Sequence, residues 1–126
     1  MKRTIAAVIL LISAIIMCSY ADNLLGREAD ALSESLLNII EISESGTDRE
    51  VLEKISLLQK QWERSSKIIE SFSLHEFADE AGMLISSLDE TLKYGSRREL
   101  MLRCVDAVNR ITGLRNAGKL STENVL

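Results

Sequence analysis

Residues 4–46 read TIAAVILLISAIIMCSYADNLLGREADALSESLLNIIEISESG, and two different solvents are written into that one stretch. From Thr4 to Ala21 no residue carries a charge, and Lys2 and Arg3 stand just ahead of the run. As a helix the run spans ~27 Å, against ~30 Å for the hydrocarbon core of a bilayer. Slight thinning of the bilayer or the flanking side chains absorb so small a difference. Past Ala21 the pattern changes. Leu25, Ala29, Leu32, Leu36 and Ile39 recur at spacings of four and three, the mark of a helix with a single apolar face. Only Gly26 interrupts the passage from one part to the other. One helix is therefore expected to leave a membrane and continue as the first helix of a domain, stopping near Ser45-Gly46, where glycine is the usual C-terminal signal.

Lys2 and Arg3 belong on the cytoplasmic side by the positive-inside bias, which puts the chain from Tyr20 onward outside. The expected layout is a signal anchor at residues 1–21 and an extracytoplasmic domain at 22–126, in a single-pass protein of the cell membrane. A cleaved signal peptide competes with it, because Ser19-Tyr20-Ala21 offers small residues for cleavage before Asp22 and would release a secreted helical protein. Acylation at Cys18 is disfavoured, since Met17 stands where a lipoprotein needs a small residue.

The rest of the chain reads as three more helical stretches. Thr47 stands three residues before Glu50, the spacing of a capping box, and behind it run Val51, Ile55, Leu58, Trp62, Ile69 and Phe72, interrupted by Ser65. Ser73 with Glu76 repeats the arrangement ahead of Phe77, Ala81, Leu84, Leu88 and Leu92, and Gly95 ends that helix. Ser96 with Glu99 opens the last, with Leu100, Cys104, Ala107, Ile111 and Leu114 on its stripe and Gly118 as its expected end, leaving a tail from Lys119 to Leu126. Five acid–base pairs, Glu50–Lys54, Glu63–Lys67, Asp89–Lys93, Glu99–Arg103 and Asp106–Arg110, fall at the i,i+4 spacing that supports solvated helix faces. Connections of a few residues make sequential helices antiparallel neighbours. The fold class expected is all-α: an N-terminal transmembrane helix continuing into an up-and-down antiparallel bundle of about four helices. The absence of proline and an aromatic content of 4% agree with long helices and argue against strands.

Composition narrows the partners. After Ala21 there are 13 basic and 19 acidic residues, a net charge of −6. A domain of that sign has no electrostatic footprint for nucleic acid and is weakly repelled by anionic lipid. Two cysteines as far apart as Cys18 and Cys104 make no disulfide framework.

Trp62, the basic-rich turn ending in Lys67-Ile68-Ile69, then Phe72 and His75-Glu76, together with the ending Leu120-Ser121-Thr122-Glu123-Asn124-Val125-Leu126, resemble a family of small membrane-anchored helical proteins catalogued as domain of unknown function 4363. The resemblance covers most of the chain and departs at Phe77-Ala78-Asp79, where the family tends to carry a further acid and an isoleucine. It implies a membrane-tethered helical protein and no chemistry, since no activity is assigned to the family.

Few residues are candidates for chemistry. His75-Glu76-Phe77-Ala78-Asp79 resembles a zinc-protease helix whose second histidine is replaced by Asp79. His75 is the single histidine of the chain, so the segment reads as a helix start in which Ser73 and Glu76 cap and Asp79 and Glu80 meet the positive end of the dipole. Trp62 on its stripe reads as core, with a ligand platform as the alternative. Cys104 reads as a buried inert thiol. Ser65 and Ser66 read as a helix-surface pair, with a polar contact or a small cavity as the alternative. No glycine-rich turn presents a serine, and phosphate loops and paired-cysteine metal sites are absent. No catalytic, metal or cofactor site is expected. The function this leaves is a membrane-tethered, non-catalytic interaction or structural module, self-associating or bound to a protein partner. An extracytoplasmic ligand sensor acting through a membrane partner is the alternative.

Overall fold

A computed structural model describes residues 1–71 and 74–125, with side chains to Asn116 except at the two omitted positions. It is all-α. Helices α1 (Lys2–Ser45), α2 (Asp48–Glu70), α3 (His75–Ser86), α4 (Leu88–Tyr94) and α5 (Arg97–Val125) follow one another, and α3 with α4 forms one bent limb, so five segments make four limbs. α1 packs on α2 and α5, and the bent limb packs on α2 and α5, while among the described residues the backbones do not approach closely across either diagonal. The limbs thus stand in a ring, each antiparallel to the one before it.

Each of the long limbs puts a seven-residue repeat on the core. α1 buries Leu25, Ala29, Leu32, Leu36, Ile39 and Ser43, α2 buries Val51, Ile55, Leu58, Ser65 and Ile69, and α5 buries Leu100, Cys104, Ala107, Ile111 and Leu114. Steps of four and three keep the apolar seam on one side of a slightly supercoiled helix, which is why such helices pack nearly aligned. Three expected stripes are found where the spacing puts them, except that Trp62 of α2 is only part-buried. Phe72 lies outside the described residues.

The third stripe is rotated. Ala78, Ala81, Ile85, Leu88 and Thr91 face the core, and Phe77, Leu84 and Leu92 of the expected set are part-buried at its edges. Ala81 and Leu88 belong to both sets, so spacing alone does not separate them. Small side chains take the line of closest approach, while Phe77 leans outward against α5, 3.7 Å from where a side chain on Gly113 would begin. The limb also breaks, at Ser87. Its N–H reaches back to Leu84 O in a tightened turn, and the hydroxyls of Ser86, Ser87 and Thr91 all bond to carbonyls of the preceding turn, a habit that bends helices. From α2, Gln59 Nε2 donates to the freed Ile85 carbonyl at 3.2 Å and to Asp89 Oδ1 at 3.2 Å.

Thr47 and Ser96 cap as expected, accepting from the N–H groups of Glu50 at 3.3 Å and Glu99 at 3.2 Å. Ser73, the expected third cap, lies outside the described residues, and α3 starts behind Leu74 with no side-chain cap. Gly46 and Gly95 stop α1 and α4 in extended rather than left-handed backbone. Glycine is needed at both for room, because a Cβ would stand 2.6 Å from Ile42 O at the first and 2.8 Å from Thr91 O at the second. Gly118 does not end the last helix, which continues to Val125. A lone glycine costs a helix only ~1 kcal/mol, too little to stop one already running.

Of the five i,i+4 pairs, the structure closes Asp106–Arg110, at 3.7 Å. Cations instead reach between limbs: Arg110 to Glu80, Arg115 to Asp30 and Arg97 to Asp48. An exposed i,i+4 pair is worth ~0.2–0.5 kcal/mol, and a cross-helix partner outcompetes it easily. Arg97 does most. Its guanidinium donates to Ser43 O at 2.8 Å, Gly46 O at 2.7 Å and Asp48 Oδ1 at 2.5 Å, closing the end of α1, the turn after it and the start of α2 from the first residue of α5. It also complements the negative end of the α1 dipole.

Replacing Arg97 with Met is expected to destabilise the bundle by about 1–3 kcal/mol, the range for hydrogen bonds to a charged group with acceptors left partly unmet. Arg97→Lys should recover only part of this, because one ammonium cannot serve three acceptors arranged around a planar fork. Exposed Arg98→Ala should stay within about 0.5 kcal/mol of the parent. Urea unfolding of the three variants decides the matter, and equal losses at positions 97 and 98 would remove the clamp from the account.

Candidate functional site

From Ile5 to Tyr20, α1 stands clear of the bundle. Ile5, Ile9, Ile12 and Ile16 point one way, Val8, Leu11 and Ile15 another, Leu10 and Met17 a third, and all are exposed. The span is long and apolar enough to cross a membrane, and none of it is covered by the other helices. A surface helix shows an apolar stripe, whereas one apolar all round needs an apolar surrounding. The bundle leaves this apolar surface uncovered.

The candidate residues on the bundle do not converge. His75 is the first residue of α3 and exposed, as are Glu76 and Asp79. Among the described residues no three histidine, cysteine, aspartate or glutamate side chains come together at metal-binding distance. Cys104 is fully enclosed beside Leu100, Ala107 and Ile111. Burial pushes its thiol up to about 12, which keeps it protonated and poorly nucleophilic.

Trp62 is only part-buried. Its ring lies against Gly82 of α3, so that a side chain there would begin 3.0 Å from Nε1 and 3.4 Å from Cε2. Beside it opens a cleft of about 300 Å³ whose rim includes Gln59, Glu63 and Asp89. The spacing of α2 puts Trp62 on the same stripe as Leu58 and Ser65 and so in the core; the structure instead seats it at the edge, part-buried and packed against the core from one side. Gly82, in mid-helix where alanine is the better former, was the available sign that something lies flat on α3.

Ser65 is buried, contrary to its expected place on the helix surface. Its Oγ donates to Glu28 Oε2 of α1 at 2.6 Å. A second polar link on the same flank runs from Ser35 Oγ to Gln61 Oε1 at 2.8 Å. Ser66 is only part-buried and bonds to the Glu63 carbonyl of its own helix. Stripe interruptions of this kind mark a core position with a polar partner on the facing helix, and that partner is invisible until the helices are paired. No buried polar side-chain atom among the described residues lacks a partner.

Polar groups gather at one more place. Where α1 emerges from the bundle, α1 and α5 line a half-open cavity of about 550 Å³ whose wall holds both arginines and aspartates. No family model, no curated protein and no solved structure matches the chain.

The thiol offers a check on how tightly the core is closed. Above about pH 9 the unfolded thiol ionises while the folded one stays protonated, so the unfolded state binds fewer protons and stability falls as pH rises toward 12. Between pH 8.5 and 10.5 the parent should lose on the order of 2 kcal/mol more than Cys104→Ala, from ~1.4 kcal/mol per pH unit. Parallel pH profiles for the two proteins in urea unfolding would mean that Cys104 is open to solvent.

Proposed function

We propose that this chain is a membrane-tethered, non-catalytic interaction module, held by residues 1–21 with the bundle outside the cell membrane. The observation that carries the proposal is the apolar length of α1 that nothing in the bundle covers, continuous with a helix whose next turns are fully packed. Soluble proteins do not leave so large an apolar surface in water. Lys2 and Arg3 at its start favour a cytoplasmic N-terminus. The resemblance to the family catalogued as domain of unknown function 4363 points the same way.

Contact is the output that best suits the bundle. Its one histidine stands exposed at a helix start, its core thiol is held protonated, and its acidic surface disfavours nucleic acid. Tethering raises the local concentration of neighbours, so a modest intrinsic affinity suffices. The Trp62 cleft supports a second reading, a sensor that takes a small molecule there and passes the signal to a membrane partner.

After alkaline extraction the full-length chain should remain with the membranes, and protease added outside intact cells should degrade it. Crosslinking in those membranes should then recover a homo-oligomer or one dominant membrane-protein partner through residues after Ala21. A soluble mature chain beginning at Asp22 would replace the tether with a secreted protein. Monomer alone, with a metabolite extract raising the melting temperature saturably, would favour the sensor.

A further inference from the structure

The cavity between α1 and α5 sits at a depth fixed by the apolar run. Ala21 is the last residue of that run, and the cavity wall starts at Asp22 and climbs α1 through Gly26 and Arg27 to Asp30. From Asp22 to Arg27 the helix rises ~7.5 Å. The polar layer on each side of a bilayer is ~5–7 Å thick, the difference between the full and hydrocarbon thicknesses. With Thr4–Ala21 in hydrocarbon, the part of the wall from Asp22 to Arg27 stands level with the lipid headgroups.

Its charges are arranged in two parts. Arg115 of α5 donates to Asp30 at 2.5 Å and lies across Gly26, where a Cβ would be 3.6 Å from its Nη2. Arg27 and Asp22 have no ionic partner among the described residues. The described wall carries a guanidinium and a carboxylate at Arg27 and Asp22, beside a second such couple already joined, Arg115 with Asp30, and these four charges sum to zero.

We propose that this cavity binds the headgroup of a zwitterionic phospholipid with a primary ammonium, the phosphatidylethanolamine class, its phosphodiester at Arg27 and Arg115 and its ammonium at Asp22. A guanidinium matches phosphate oxygens in geometry and charge, and a carboxylate accepts the N–H bonds of a primary ammonium. A quaternary ammonium has no such donors. A purely anionic headgroup would leave Asp22 unpaired and meet a domain of net charge −6. The site deepens the proposed function and rests on the membrane-spanning reading, since it gives the tethered bundle a lipid that fixes its seat on the surface.

Native mass spectrometry of the full chain in mild detergent tests it, with phosphatidylethanolamine, phosphatidylcholine, phosphatidylglycerol, glycerophosphoethanolamine and inorganic phosphate as probes. The ethanolamine lipid should bind about tenfold more tightly than the other two lipids, the effect of one good polar interaction. Arg27→Gln, at an exposed position, and Asp22→Asn, at a part-buried one with no ion pair among the described residues, should each remove most of that preference without moving the melting temperature. Equal binding of the three lipids, or indifference to both substitutions, overturns the site. Glycerophosphoethanolamine or phosphate binding as tightly as the lipid would identify a soluble phosphate ligand and overturn the lipid assignment. Alkaline extraction separates the two failures: a membrane-resident chain without lipid preference loses only the headgroup site, whereas a soluble chain beginning at Asp22 loses the tether as well.

Discussion

One helix has to satisfy two surroundings, and the rest of the molecule is arranged by that constraint. Up to Tyr20, α1 presents apolar side chains all round, and from Leu25 it presents them on one side only. A helix has no joint at which to change the direction of its buried face, so the position of that face at Leu25 sets where the other three limbs must stand. α5 answers it most extensively, returning antiparallel along α1, with Arg97 locking the far end and Arg115 meeting Asp30 near the end from which the apolar segment projects. α2 and the bent α3–α4 limb complete the ring.

Much of this was legible from spacing. The stripes of α1, α2 and α5 and the hydroxyl caps at Thr47 and Ser96 depend on periodicity and on local hydrogen bonding, which a chain carries in its order of residues. What was not legible depends on pairing. Ser65 looks like a defect in a stripe until Glu28 of another helix is opposite it. The rotation of α3 turns on whether Ala78 or Phe77 meets the closest neighbour, and two shared positions, Ala81 and Leu88, leave spacing undecided. The break at Ser87 is bonded from α2, where Gln59 donates to the Ile85 carbonyl, and that partner too is set by pairing. The charged pairs illustrate the same point, since local partners worth tenths of a kcal/mol give way to acids on facing helices. At the candidate sites, the enclosed Cys104 was readable from the pattern, whereas the seating of Trp62 on Gly82 was not.

The polar devices sort by height along the bundle. Arg97 stands at the far end, Gln59 and Ser65 link limbs along its flanks, and Arg27, Arg115, Asp22 and Asp30 gather where α1 leaves it. The devices at the far end and along the flanks are satisfied within the protein. Among the described residues those near the apolar segment are paired only in part, Arg115 with Asp30, and that is the end at which a proposed lipid or partner would be met. On the proposed reading, the packed bundle is a rigid spacer that holds this end against the membrane.

The central claim is that α1 runs unbroken from the bilayer into the core, and hydrogen–deuterium exchange of the full chain in lipid nanodiscs tests it most directly. If the helix is continuous, the amides from Ala21 to Asp30 should exchange about as slowly as those from Leu32 to Ile40, opening only with the bundle as a whole. Exchange from Tyr20 to Arg27 at the rate of an unstructured chain would reveal a hinge and contradict the account.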